Sequence, residues 1–186
     1  MKHKGRNKYQ LIALFRYWAM KGIDQFTLSK MKKNTTRRDI CRYLNQIRLI
    51  IYNDFVPHFL GACSRGRDFF LQQNTTVAKE LYNMKDDDLA AVCDGGYIYI
   101  EKSQNNTFQK ATFSTQKKSN LIKPMALTCT NGYIIDMYGP FEGKWNDILA
   151  FREVLKDRDL LDILIPKKTI MVVDRGDFKF YKSSDT

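Results

Sequence analysis

Leu89-Ala90-Ala91-Val92-Cys93-Asp94-Gly95-Gly96 and Thr169-Ile170-Met171-Val172-Val173-Asp174-Arg175-Gly176 share one construction. Each is an apolar run closed by an aspartate, with a glycine one or two residues further on. A short apolar run stopped by turn residues reads as a buried strand that leaves its sheet at the C-terminal end. If the two strands are neighbours, Asp94 and Asp174 come side by side. Two ionised carboxylates at short range repel, and the repulsion raises one pKa unless a cation intervenes. Mg²⁺ or Mn²⁺ would relieve it, being hard ions that prefer oxygen ligands. A pair of such ions about 3.5–4 Å apart can clamp the attacking and leaving oxygens of a phosphodiester. Asp-Gly and Asp-Arg-Gly are also ordinary turn sequences, and the local pattern leaves both readings open.

The surrounding residues extend the strand pattern. Residues 97–100 form a second apolar run. Residues 123–130 and 133–138 flank Asn131-Gly132, a strong hairpin signal. Residues 145–156 read as a helix and 169–173 as the last strand. This order predicts an α/β (α+β) chain in which a mixed sheet of the ribonuclease H-like type follows a helical region.

The helical region comes first. Leu11, Leu14, Phe15 and Trp18 share one helical face over residues 9–21. Gly22 should end that helix, and Asp24 should cap a short one over 25–32. Thr36 followed three residues later by Asp39 resembles a capping box for a helix over 37–52. Its Ile40, Leu44, Ile47 and Ile51 make one buried stripe. Helix, turn and second helix with arginines near its start is the helix-turn-helix pattern. The buried stripe would hold the second helix while Arg37, Arg38 and Arg42 face outward towards DNA. An ordinary helical packing module has the same pattern. Pro57, Gly61 and Arg65-Gly66-Arg67 read as breaks. Thr75 or Thr76 should start a helix running to Met84. The Asp86-Asp87-Asp88 run is expected to be a solvated turn, because adjacent side chains diverge.

Charge placement suggests a polyanion partner, with a solvated tail and solvated helix faces as the other reading. Residues 1–52 hold thirteen Lys/Arg against two Asp, which accounts for the whole formal net charge of +11. The remainder is neutral, so a basic front precedes a balanced body. Cys41, Cys63, Cys93 and Cys129 include no C-x-x-C pair, and His3 and His58 are isolated. Neither a zinc site nor a disulfide framework is indicated, and reduced thiols are expected. The basic N-terminus is followed by no apolar segment and cleavage site, and no run approaches a membrane span. The expectation is a nuclear or cytoplasmic protein, neither secreted nor membrane-bound.

Several blocks together resemble the Harbinger-like DDE transposases. Cys93-Asp94-Gly95-Gly96-Tyr97-Ile98-Tyr99-Ile100-Glu101-Lys102-Ser103 is similar to that family's Asp-Gly-Thr-Tyr block. Phe108-Gln109-Lys110, Ser114 and Leu121-Ile122-Lys123-Pro124-Met125 look like the basic segment that follows it. Asn131-Gly132-Tyr133-Ile134-Ile135-Asp136, Gly139-Pro140-Phe141 and Asn146-Asp147 resemble its hairpin, Gly-Pro turn and Asn-Asp pair. Val173-Asp174-Arg175-Gly176 resembles the block that holds the second catalytic aspartate, and residues 54–61 also look familial. The resemblance implies a ribonuclease H-like fold, a divalent metal, and cleavage and transfer of DNA strands. It maps Asp94 and Asp174 onto the first and second acids, with Asp147 as a secondary metal candidate that also suits a helix start.

The chain departs from that pattern at three places. Gly96 stands where threonine is usual, and Asp177 where an aromatic is common. The family's third acid, a glutamate on a later helix, has no counterpart before Thr186, so the domain is expected to be C-terminally truncated. Losing one ligand of a two-metal clamp disturbs its charge balance and geometry. The organisation expected is a helical region over 1–60, a connector over 61–88, and a DDE endonuclease domain over 89–186 that is incomplete at its C-terminus. The function expected is a metal-binding, transposase-derived nuclease acting on DNA. The alternative is a non-catalytic DNA-binding relic using the basic helices. A strand edge left bare would favour homo-oligomers.

Overall fold

The computed structural model describes residues 7–32 and 34–173. The chain divides into two compact units between Phe59 and Leu60.

The first unit is helical. Helix α1 (Lys8–Lys21) starts where the Asn7 side chain accepts from Tyr9 N, and it stops at Gly22, whose φ of 61° closes the last turn. Asp24 caps α2 (Gln25–Met31) by accepting from Phe26 and Thr27 N–H groups. Helix α3 (Arg37–Ile50) opens on a reciprocal capping box between Thr36 and Asp39. Leu28, Ile40 and Leu44 form the core, with Leu14, Phe15, Trp18 and Ile23 packed against it.

The helical path continues past the expected end. Residues Ile51–Phe55 form a π-helical turn, in which Val56 N–H reaches back to Ile51 O, and α4 (Val56–Phe59) follows. Proline normally breaks a helix through ring contact with the carbonyl four residues back. A widened turn immediately ahead of Pro57 eases that contact.

The second unit is built on a mixed six-stranded sheet. Short helices α5 (Arg67–Leu71) and α6 (Thr76–Leu81) precede β1 (Leu89–Gly95) and β2 (Ile98–Tyr99). Helix α7 (Asn106–Thr112) leads into β3 (Phe113–Ser114) and the long β4 (Ser119–Cys129), which turns into β5 (Ile134–Glu142). Helices α8 (Asp147–Val154) and α9 (Arg158–Leu164) then return the chain to β6 (Thr169–Val173). Strand β4 pairs antiparallel with β1 and with β5, whereas β6 lies parallel to β1. β2 and β3 pair antiparallel with the first residues of β4.

Strand alternation decides which side chains are buried. Ala91 and Cys93 of β1, Met125, Leu127 and Cys129 of β4, and Ile135 of β5 join Ala150, Val154, Leu160, Ile163 and Leu164 of the last helices. Phe70 of α5 completes this cluster and is fully buried.

Polar clamps hold the entrances to β1 and β6 together. The Arg67 guanidinium donates to the carbonyls of Ile163, Asp87 and Lys168 and to Thr169 Oγ1. Burial lowers the Arg67 pKa, opposed by Asp87, Asp88 and Asp68. Asn74 bridges the same region, donating to Asp88 O and accepting from Ala90 N. The acidic run at 86–88 is thus not simply a solvated turn. Asp88 is only 3% exposed, accepts from Lys85 N–H and pairs with Lys168, while Asp87 pairs with Lys167. The Lys85 bond, ahead of the Lys168 contact, lowers the Asp88 pKa against its desolvation.

Replacing Arg67 with methionine strands several of these acceptors, and hydrogen bonds to a charged donor are worth about 1.5–3 kcal/mol each. Arg67→Met should therefore lower the urea midpoint by the equivalent of about 2–3 kcal/mol with an unchanged denaturant slope, measured by far-ultraviolet circular dichroism. An unchanged midpoint would show that the clamp carries no stability.

Candidate metal centre at the end of strand β1

Asp94 stands next to last in β1, opposite Ala126 of β4. Its neighbours Cys93 and Gly95 face the helix-covered side, where Gly95 pairs with Met125. Asp94 therefore projects from the other side of the strand, and its side chain is exposed. Among the described residues no hydrogen bond or ion pair engages its carboxylate.

Asp147 approaches from the Gly95 side. A Cβ built on Gly95 would lie 3.3 Å from Asp147 Oδ1, so the missing side chain leaves room for this carboxylate. Gly143 brings the chain there. A side chain at Gly143 would run into the carbonyls of Thr112 and Leu121. Beyond it, Asn146 is the residue that caps α8, accepting from Leu149 N. Asp147 sits one position later, and its carboxylate is not used as the cap. The two carboxylates thus flank the end of β1, one from each side.

The third charged group is Lys123, which the sequence alone places only in a basic segment. It occupies a core-facing position of β4, in the row with Leu121, Met125, Leu127 and Cys129, and is 5% exposed. Its ammonium donates to Asp147 Oδ1 at 3.1 Å and lies 5.2 Å from the centre of the Tyr97 ring. Lys117 approaches the same ring at 4.9 Å. The signal available in the sequence was parity, since Lys123 interrupts an alternating apolar row.

Cys93 borders the same site. Burial, then the charges of Asp94 and Asp147, push its thiol up from 9.0 to about 12. It stays protonated at neutral pH and is a poor metal ligand in that form. The donors available at the strand end are carboxylate oxygens, which suit hard divalent ions such as Mg²⁺ and Mn²⁺. Among the described residues, no group of three or more His, Cys, Asp or Glu side chains is placed to hold a metal ion.

Asp174 lies outside the described residues. The β1–β6 ladder is described up to the pair Cys93↔Val173. In sequence, those two residues are followed by Asp94 and Asp174. Arg37, Arg38 and Arg42 belong to the helical unit. Arg37 and Arg38 are exposed at the start of α3, while Arg42 pairs with Asp39 at 2.9 Å and stacks on Tyr43. No helix among the described residues is long and apolar enough to cross a membrane.

The sequence family described as DDE superfamily endonuclease matches residues 93–182, from the last residues of β1 through β6 and beyond. That span of the chain is similar to the DDE superfamily endonucleases and contains Asp94, Lys123, Asp147 and Asp174. No curated protein and no solved structure matches the chain.

The Cys93 thiol also gives a pH signature. Below pH 9.0 it is protonated in both folded and unfolded chains and contributes nothing to the pH dependence. Between 9.0 and about 12 the unfolded thiol ionises while the folded one does not, so stability falls as pH rises. A Cys93→Ala variant should lose less stability between pH 9 and pH 11 than the parent chain, read from urea midpoints at each pH. Parallel curves for the two proteins would contradict this assignment.

Proposed function

We propose that this chain carries a metal-binding nuclease domain of DDE transposase descent acting on DNA phosphodiesters. Asp94 and Asp174 are its paired ligands for Mg²⁺ or Mn²⁺, with Asp147 at the margin of the site. The observation that carries the reading is the parallel ladder between β1 and β6. The last described pair is Cys93↔Val173, and in sequence each of these residues is followed by an aspartate. Carried forward by one residue, the ladder would pair Asp94 with Asp174 on one side of the sheet, since paired residues of adjacent strands share a face. The match over residues 93–182 supports the same descent. The order β5–β4–β1–β6, with only β6 parallel to β1, supports the ribonuclease H-like form of the sheet.

A divalent ion at this place would supply Lewis acidity and an activated water. The residues of the chain do the rest. The exposed Asp94 carboxylate presents oxygen ligands without first breaking a hydrogen bond to a described residue. Lys123 offsets the charge of Asp147, so the strand end does not gather unopposed carboxylates. The protonated Cys93 keeps soft-metal chemistry out. Gly96, where the Harbinger-like pattern has threonine, leaves the first carboxylate without a neighbouring hydroxyl.

The purified 186-residue chain should nick supercoiled plasmid in the presence of Mn²⁺ or Mg²⁺, and Asp94→Asn should reduce the rate by on the order of a hundredfold or more, as loss of a direct metal ligand does. Cleavage that ignores added metal, or that survives the substitution, would defeat the nuclease reading.

A second reading is a non-catalytic DNA-binding protein that works through its helical unit. It is favoured by Arg37 and Arg38, exposed side by side at the start of α3, next to the Thr36 cap that holds that end rigid. Exposed guanidinium groups on a preorganised helix end suit phosphate contacts. Duplex binding should then weaken linearly with the logarithm of salt concentration. Arg37→Ala/Arg38→Ala/Arg42→Ala should reduce the steepness of that line by about 2–3 units, one per lost phosphate contact. An unchanged slope in fluorescence anisotropy would remove α3 from the interface.

A further inference from the structure

We propose that Lys123 is a built-in counter-cation of the strand end: a positioning residue that occupies the Asp147 carboxylate and so sets how tightly a divalent cation binds there. This inference rests on the metal-binding reading above and identifies a control on it.

A lysine is almost never placed inside a protein without a partner, because its ammonium loses hydration on burial. Lys123 lies in the apolar row of β4, yet it is not a misplaced surface residue. Its ammonium has a hydrogen bond to Asp147 at 3.1 Å and the face of Tyr97 at 5.2 Å. The pair is asymmetric, with the lysine side chain 6% exposed and the aspartate side chain 45%. The cation is thus held on the inner side of the carboxylate, while solvent reaches the outer side. Cys93 and Gly95, on the same strand face, supply no charge that could replace it. The nearby Lys117 faces Tyr97 and adds a further positive charge to the same surroundings.

Electrostatics decides the direction of the effect. Asp94 and Asp147 together carry two negative charges at the end of β1, and Lys123 cancels one. An entering divalent ion must compete with the ammonium for Asp147 and is also repelled by it. At protein-surface distances and effective dielectric, one such charge is worth roughly a factor of ten or more in cation affinity. A lysine with no bearing on metal binding would leave the affinity unmoved, or would lower it by loosening the fold.

The test is Mn²⁺ titration of the 186-residue chain, with free Mn²⁺ followed by its electron paramagnetic resonance signal. The proteins are the parent chain, Lys123→Met, Asp147→Asn and the double variant. Methionine keeps the length and apolar bulk of the lysine stem. Lys123→Gln is the substitute if Lys123→Met fails to show the parent's circular dichroism. The expected result is tighter Mn²⁺ binding in Lys123→Met by about tenfold, or binding where the parent shows none, with the gain abolished in the Asp147→Asn background. Equal or weaker binding in a folded Lys123 variant overturns the proposal, as does a gain that persists without Asp147. The measurement requires no turnover. Absence of plasmid nicking would count against the nuclease reading and leave the Lys123 result to be judged on its own.

Discussion

Parallel pairing between β1 and β6 is the constraint on which the second unit depends. Parallel neighbours cannot be joined by a tight turn, so the chain between them must travel away from the sheet and return. Here that excursion contains the β4–β5 hairpin and helices α8 and α9, which cover one sheet face. The pairing is guarded at its entrance by Arg67, which bonds to the segments leading into both strands. Everything that gathers at the other end, from Asp94 to Asp147, inherits its position from this ladder.

The same arrangement explains the uneven electrostatics of the strand end. Alternation sends Cys93 inward and Asp94 outward, so adjacent residues meet opposite environments. The inner environment raises the pKa of the Cys93 thiol by burial, and it sets the Asp147 carboxylate within hydrogen-bonding distance of Lys123. Asp147 reaches that lysine past Gly95, where a side chain would crowd its carboxylate, along a chain path on which Gly143 leaves no room for a side chain. The chemistry of the site is therefore set as much by two absent side chains as by the charged groups.

Legibility in the sequence followed the range of the interaction. Local signals were readable. The Thr36–Asp39 box, the Asp24 cap, Gly22, the Asn131-Gly132 hairpin and the run at 169–173 all depend on residues close in sequence. The helical path through Pro57 was not readable, because its continuity here goes with the π-helical turn at Ile51–Phe55, which no local sequence signal marks. Helices α5, α7 and α9 were missed, being short segments whose apolar residues, such as Phe70 and Leu160, acquire meaning only on the sheet they cover. The burial of Asp88 was not readable, since it depends on Asn74 and Lys168, the latter eighty residues away in sequence. The metal candidates divided similarly. Asp94 and Asp147 could be named from the sequence, but the control that Lys123 places on Asp147 required β4, β1 and α8 in one place.

Alternation along β1 and β4 also makes a slipped register costly. A strand can slip by one residue and keep nearly all of its backbone hydrogen bonds, so hydrogen bonding alone recognises the error poorly. Here a slip of β1 would turn the Asp94 carboxylate into the apolar cluster and expel Cys93. A slip of β4 would detach the Lys123 ammonium from Asp147 and put Leu121 and Leu127 in water. Each error buries a charge without its partner or exposes a core side chain, and both outcomes are costly. Charged residues beside and within the apolar rows therefore disfavour the wrong registers, whatever chemistry they perform in the right one.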